Sequence, residues 1–92
     1  MCFLFKLYKI SGHSMEPTLH PGSHVLVWTH AKRYTANDIV VFMHDNKIQI
    51  KRIFKIIGDN FDVRGDNEQH SLDSRTFGII PKSNIVGKAI WY

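Results

Sequence analysis

Cysteine is nearly absent from this sequence. Cys2 is the sole one in 92 residues, so no disulfide can close within the chain and the redox compartment stays open. Cys2 itself reads as a small, partly buried hydrophobe near a frayed terminus. Long apolar runs are missing too. The run Cys2-Phe3-Leu4-Phe5 is cut by Lys6 and Lys9, far short of the roughly 20 residues a helix needs to cross a bilayer. No apolar stretch is followed by a small-residue cleavage site, so no secretory signal peptide is expected. From these absences the chain is expected in the cytoplasm or at the periphery of a membrane. No segment holds the helical apolar period through three turns, which excludes long helices. Internal repeats, low-complexity tracts and linkers are also lacking. Ninety-two residues then make one domain spanning 1–92, with a thin core that buries only roughly 60–65% of the unfolded surface.

What is present reads as mainly β. The hydrophobic fraction of 43% is ordinary for a soluble globular chain. Short runs rich in Val, Ile, Phe and Trp occur at Val25–Trp28, Ile39–Met43, Ile48–Ile57, Phe61–Arg64 and Ile85–Trp91. Turn formers separate them, among them His20-Pro21-Gly22-Ser23, Gly58-Asp59-Asn60 and Gly65-Asp66-Asn67. Asp45-Asn46 joins two of the runs as a hairpin. One short helical turn is expected near Ser14 and another near Pro81–Asn84, and the polar stretch Asn67–Thr76 reads as a loop. In the strand after the hairpin, side chains alternate, so Gln49, Lys51 and Ile53 share one face and Ile48, Ile50, Arg52 and Phe54 the other. Lys51 and Arg52 therefore need different explanations.

Three segments carry residues suited to chemistry. The first is Ser11-Gly12-His13-Ser14-Met15-Glu16-Pro17-Thr18-Leu19. A serine hydroxyl attacks a carbonyl only if one group removes its proton and another stabilises the oxyanion. Gly12 permits close approach of the backbone and Pro17 fixes the following turn, so Ser14 can present its own N–H as an oxyanion donor. Taken alone, a serine in such a turn is more often just a turn or cap residue. The second is Lys51, between Ile50 and Ile53. Lysines on strands commonly snorkel to water. A catalytic lysine must instead be neutral, and lowering its pKa from about 10.4 to about 7 takes roughly 4–5 kcal/mol, which burial can supply. The third is Gly65-Asp66-Asn67 with Ser71-Leu72-Asp73-Ser74-Arg75. Asp73 and Arg75 stand two apart and can pair, and Ser71 can orient an amine. A solvated loop with an exposed ion pair is the plainer reading.

In this order the segments resemble the signal peptidase I family of serine proteases. The blocks are Ser14–Leu19, Asn37-Asp38-Ile39-Val40-Val41-Phe42, Lys51-Arg52, Gly65–Asn67, and Ser71 to Gly78, with Ile85-Val86-Gly87-Lys88-Ala89 similar to the last strand; together they cover about residues 10–92. The resemblance implies a small, partly open antiparallel β-barrel with minimal helix. It implies a serine endopeptidase with Ser14 as nucleophile and Lys51 as general base. Ser71 would orient the lysine, and Asp73 and Arg75 would form a structural pair beside the site. Gly12 stands where some members carry a second oxyanion hydroxyl. The resemblance also implies a shallow apolar pocket for small side chains, a protein or peptide substrate with an N-terminal leader, peripheral membrane contact, and no cofactor. Only residues 53–64 separate Lys51-Arg52 from Gly65, so the usual inserted cap is missing, and no N-terminal membrane anchor is seen. This short form resembles the branch of nickel-type superoxide dismutase maturation proteases, thought to trim a leader so that the new N-terminus can bind nickel.

Other readings are weaker. Six histidines, at 13, 20, 24, 30, 44 and 70, match no standard zinc spacing and have no cysteine cluster beside them, so no metal site is expected. Arg64-Gly65-Asp66 spells an adhesion tripeptide but falls inside a family block. The formal net charge of +4 suits an anionic partner, although the Lys and Arg residues are scattered. A small basic β-barrel that binds nucleic acid would use that charge, yet it gives no reason for Ser14 and Lys51 to meet. A self-cleaving repressor fragment would need a DNA-binding domain and an Ala-Gly cleavage site, neither of which is present. Nucleic acid is therefore not an expected partner.

Overall fold

The structure, a computed structural model, describes residues 4–92. Cys2 lies outside the described residues. Seven strands follow in chain order: β1 Phe5–Lys9, β2 His24–Trp28, β3 Ile39–His44, β4 Lys47–Ile57, β5 Asn60–Arg64, β6 Ile80–Pro81 and β7 Ile85–Trp91. All pairings are antiparallel, in the order β1-β2-β7-β3-β4-β5-β6, so the sheet stays open between β1 and β6. The mainly β expectation with little helix holds. The expected runs are β2, β3, β4, β5 and β7, each within a residue of its expected bounds.

Four details differ from expectation. The segment Phe5–Lys9 is a strand, pairing with β2, although Lys6 and Lys9 break its apolar run. At a sheet edge a lysine can turn its amine to water without leaving the ladder, and Lys6 lies over the Tyr8 ring. Ile80–Pro81 adds a two-residue strand beside β5. The helical turn expected near Ser14 does not form. Isolated bonds from Glu16 N–H to the His13 carbonyl (3.2 Å) and from Leu19 N–H to the Met15 carbonyl (2.9 Å) hold turns there. Pro17 has no N–H with which to extend them. The stretch 67–76 is not a plain loop either. It holds a 3₁₀ turn at Glu68–His70 and a short helix, α1, at Ser74–Phe77. Asp73 starts α1 by accepting the Arg75 N–H on its side chain, as an N-cap does. A 3₁₀ turn at Lys82–Asn84 agrees with the turn expected there.

The core has two parts, one on each side of β3. Ile39 and Val41 pack with Ile10, Met15, Leu19, Val25 and Val27. Val40 and Phe42 pack with Ile53, Phe61, Val63 and Ile80. A strand that buries both faces reads as a continuous apolar run, which is what Ile39-Val40-Val41-Phe42 is. The β3–β4 hairpin turns at Asp45 (φ 51°) and Asn46 (φ 61°), both left-handed as a type I′ turn requires. That turn sets the register His44↔Lys47 through Val40↔Lys51. Directly opposed residues project to the same face, so Lys51 enters the sheet beside the fully buried Val40.

Candidate active site

Ser14 sits on the loop that joins β1 to β2. Two buried anchors, Met15 and Leu19, each 2% exposed, pin this loop to the first core cluster. Backbone bonds close its base: Ile10 N–H to the Ser23 carbonyl (2.8 Å) and Gly22 N–H to the Ile10 carbonyl (2.9 Å). Gly12, at φ 82°, takes a left-handed turn that a side chain would strain. Glu16 gathers His13 (2.5 Å) and His20 (3.1 Å) across the loop. Those contacts, that from His13 first, hold the Glu16 carboxyl below the ordinary glutamate range.

Lys51 reaches this loop from β4. Its Nζ lies 2.8 Å from the Ser14 Oγ, and the residue is only 6% exposed. Burial pulls the amine below its ordinary pKa, while the negative charge of Asp73 works in the opposite direction. As placed, the Lys51 amine donates to the Ser14 hydroxyl oxygen, and in its uncharged form the same amine can take the hydroxyl proton. Among the described residues the Ser14 N–H has no acceptor, so it remains available as a donor.

Ser71, Asp73 and Arg75 lie next to this pair. Asp73 is fully buried and accepts from Ser71 Oγ (2.7 Å), Gly65 N–H (2.9 Å), Arg75 N–H (3.1 Å), Arg75 Nε (3.0 Å) and Arg75 Nη2 (2.6 Å). Burial alone would raise its pKa. These bonds, led by the Arg75 guanidinium, overcome that and hold the carboxyl far below the usual range. The Asp73–Arg75 contact is thus no exposed ion pair on its acidic side. Ser71 differs from its expected placement: its hydroxyl points to Asp73 and accepts the Gly65 N–H at 3.2 Å, with no hydrogen bond to Lys51. Asp73 already fills its donor direction, so Ser71 bears on the lysine through that carboxylate.

The residues that bind the parts together are Arg52, Asp66 and Asn67, to which the sequence reading gave no role. Arg52 makes a two-pronged pair with Asp66 (Nε to Oδ1 2.9 Å, Nη2 to Oδ2 2.9 Å) and donates to the Asn37 carbonyl (2.8 Å). Asp66 Oδ2 also takes the Thr18 hydroxyl (2.5 Å). Asn67 donates its backbone N–H to the Ser14 carbonyl (2.8 Å) and its side-chain amide to the His13 carbonyl (3.1 Å). The available signal was their presence in the same short blocks as Lys51 and the Gly65 turn. Gly65 has no room for a side chain, since a Cβ there would stand 2.3 Å from Ser71 Oγ and 2.6 Å from the Ser14 carbonyl oxygen.

An open antiparallel sheet that holds a serine against a buried lysine narrows the class, and comparison with known proteins agrees. Residues 5–90 match the Peptidase S24-like family. The chain is 33% identical to the mitochondrial ATP-independent inner membrane protease subunit 1b of Arabidopsis thaliana, over 87% of this chain and 64% of that protein. It is 32% identical to the mitochondrial inner membrane protease subunit 1 of Schizosaccharomyces pombe, over 96% of this chain and 73% of that one. It is 36% identical to the signal peptidase I of Bacillus amyloliquefaciens, over 70% of this chain and 36% of that enzyme. The chain therefore belongs to the Peptidase S24-like family, and its relatives place it with the signal peptidase I family. It spans less than two thirds of the Arabidopsis relative and about a third of the bacterial one.

Proposed function

We propose that this protein is a serine endopeptidase in which Ser14 is the nucleophile and Lys51 the general base, acting on a leader-bearing protein. The observation that carries this reading is the 2.8 Å contact between the Ser14 hydroxyl and a lysine amine kept from water. Lys51 takes the hydroxyl proton as Ser14 Oγ bonds to the scissile carbonyl carbon, whose oxygen gains the negative charge. The Ser14 N–H stabilises that charge. The C–N bond then breaks and the leaving amine takes the proton from Lys51. A water molecule, deprotonated in turn by Lys51, hydrolyses the acyl-serine and returns the serine hydroxyl.

A substrate strand fits between β1 and the first half of β4. β1 pairs on one side only, and β4 meets β5 only from Arg52 onward, so the Lys47–Lys51 backbone has a free edge. An extended peptide can pair with both edges. A hollow of about 60 Å³ lies there, lined by Tyr8, Lys9, Ile10, Val41, Ile48, Gln49 and Ile50. A hollow of that size suits a small side chain. The leader of a nickel superoxide dismutase is the substrate we favour, on the shortness of the segment between Arg52 and Gly65. Peripheral membrane contact is supported by exposed Phe5, Leu7, Trp28 and Trp91 on β1, β2 and β7.

The test is incubation of wild type, Ser14→Ala and Lys51→Met with a nickel superoxide dismutase precursor and, separately, with a general signal-peptide precursor. Cleavage by wild type and by neither variant is expected. Cleavage that persists in either variant removes the dyad, and cleavage of the second precursor alone removes the nickel assignment.

A further inference from the structure

Asn67 holds two successive carbonyls of the nucleophile loop, those of His13 and Ser14. The first contact has a geometric consequence. The His13 carbonyl and the Ser14 N–H belong to the same peptide unit. That unit is trans, the one cis bond among the described residues being Glu16–Pro17. In a planar trans peptide the C=O and N–H point in opposite directions. A side-chain amide that fixes the His13 carbonyl on the Asn67 side therefore turns the Ser14 N–H the other way, and that N–H has no acceptor among the described residues.

We infer that Asn67 is a positioning residue for the oxyanion donor: its side-chain amide locks the 13–14 peptide plane so that the Ser14 N–H faces the reacting carbonyl. The inference rests on Ser14 being the nucleophile. The Glu16 N–H also meets the His13 carbonyl, at 3.2 Å, but it lies within the same loop and moves with it. Asn67 belongs to the segment that follows β5, tied to β4 through the neighbouring Asp66–Arg52 pair. It therefore references the peptide plane to the strand that bears Lys51. Gly12 carries no hydroxyl to serve as a second donor, so the orientation of this N–H matters more. The role differs from that of Asp73 or Arg75, which act on the lysine side of the site.

The experiment measures binding of a peptide aldehyde ending in alanine and of the matching peptide alcohol. The aldehyde adds to Ser14 Oγ, the hydroxyl proton passing to Lys51 and the charge to the former aldehyde oxygen. The alcohol forms no such bond. For Asn67→Ala, aldehyde affinity is expected to fall about 10–100-fold, approaching the loss of one oxyanion donor, with alcohol affinity unchanged. The isosteric Asn67→Asp, which cannot donate to the carbonyl, is expected to behave alike. In ¹⁵N-labelled wild type the Ser14 amide proton moves downfield on aldehyde addition, and in both variants that shift is lost. Unchanged aldehyde affinity in both variants, or equal loss for aldehyde and alcohol, overturns the inference while leaving the dyad in place. A wild type or Ser14→Ala chain that fails to distinguish them, respectively, by preferring aldehyde or by losing that preference overturns the reading beneath it.

Discussion

Lys51 and Arg52 are adjacent on β4 and leave it on opposite faces, yet both bear on the same loop, one directly and one through a carboxylate. Lys51 meets Ser14 directly, while Arg52 meets Asp66, whose carboxylate takes the Thr18 hydroxyl four residues further on. The strand thus reaches the Ser14 loop directly through Lys51 and indirectly through Arg52, by way of Asp66. One link is a buried amine kept from water, and the other is a partly exposed, two-pronged ion pair whose planar fork sets direction as well as distance. Their division of labour, with Asp73 between Lys51 and Arg75, leads to four expectations.

The rate of cleavage should depend on a neutral Lys51. Burial places its pKa below the ordinary 10.5, so kcat/KM rises with pH along a limb whose midpoint lies below that value. The charge of Asp73 opposes that shift, so Asp73→Asn should move the limb to lower pH in chain that remains folded. A limb at or above 10.5 in wild type would contradict the buried base, as would an upward movement in the variant.

Lys51 should cost stability at neutral pH. Its folded pKa lies below its unfolded one, so between the two the unfolded chain binds the extra proton and stability rises with pH. Lys51→Met removes the buried amine and fills a similar volume. Its midpoint of thermal unfolding at pH 7 should rise above that of wild type, by about 4–8 °C for each kcal/mol gained in a domain of this size. The gain should shrink as pH approaches 10, which parallel melts at the two pH values would check.

Asp73 should contribute in the opposite sense. Its folded pKa lies below the unfolded 3.8, so its stabilisation is fully present above that value and is lost as pH falls through the folded pKa. Asp73→Asn keeps the shape but weakens several charged hydrogen bonds, at a cost of about 2–3 kcal/mol at pH 7. Urea unfolding from pH 7 down to pH 3 should show the difference between the two proteins narrowing at the acid end.

Gly65→Ala should harm activity far more than a surface change would. The new methyl meets Ser71 Oγ at 2.3 Å and the Ser14 carbonyl oxygen at 2.6 Å, and the second contact is backbone that cannot swing aside. With Ser14 as the proposed nucleophile, a displacement of about 1 Å there is enough for a roughly 100-fold loss of kcat. Replacing Ser71 by alanine in the same chain relieves only the first contact, so activity should not return in the double variant.

Much of the fold was legible because strand patterning is local. Alternating β-branched and aromatic residues bounded by Asp45-Asn46 and Gly58-Asp59 determine where β3, β4 and β5 begin and end. Phe5–Lys9 is hidden in the sequence because two lysines interrupt the apolar pattern of an edge strand, and α1 because its start depends on a single Asp73 side chain. At the site, the sequence by itself determined which residue types were on hand: a serine between a glycine and a proline, a lysine among isoleucines, an aspartate two before an arginine. Only the tertiary structure decided their couplings. It turned Ser71 toward Asp73 rather than Lys51, gave Arg52 and Asp66 the task of holding Thr18, and set Asn67 against the two carbonyls around Ser14. The physical reason is that most of these contacts join groups far apart in the chain that the sheet brings together, and hydrogen-bond geometry of a few tenths of an ångström is fixed by that packing. Chain spacing carries no record of it.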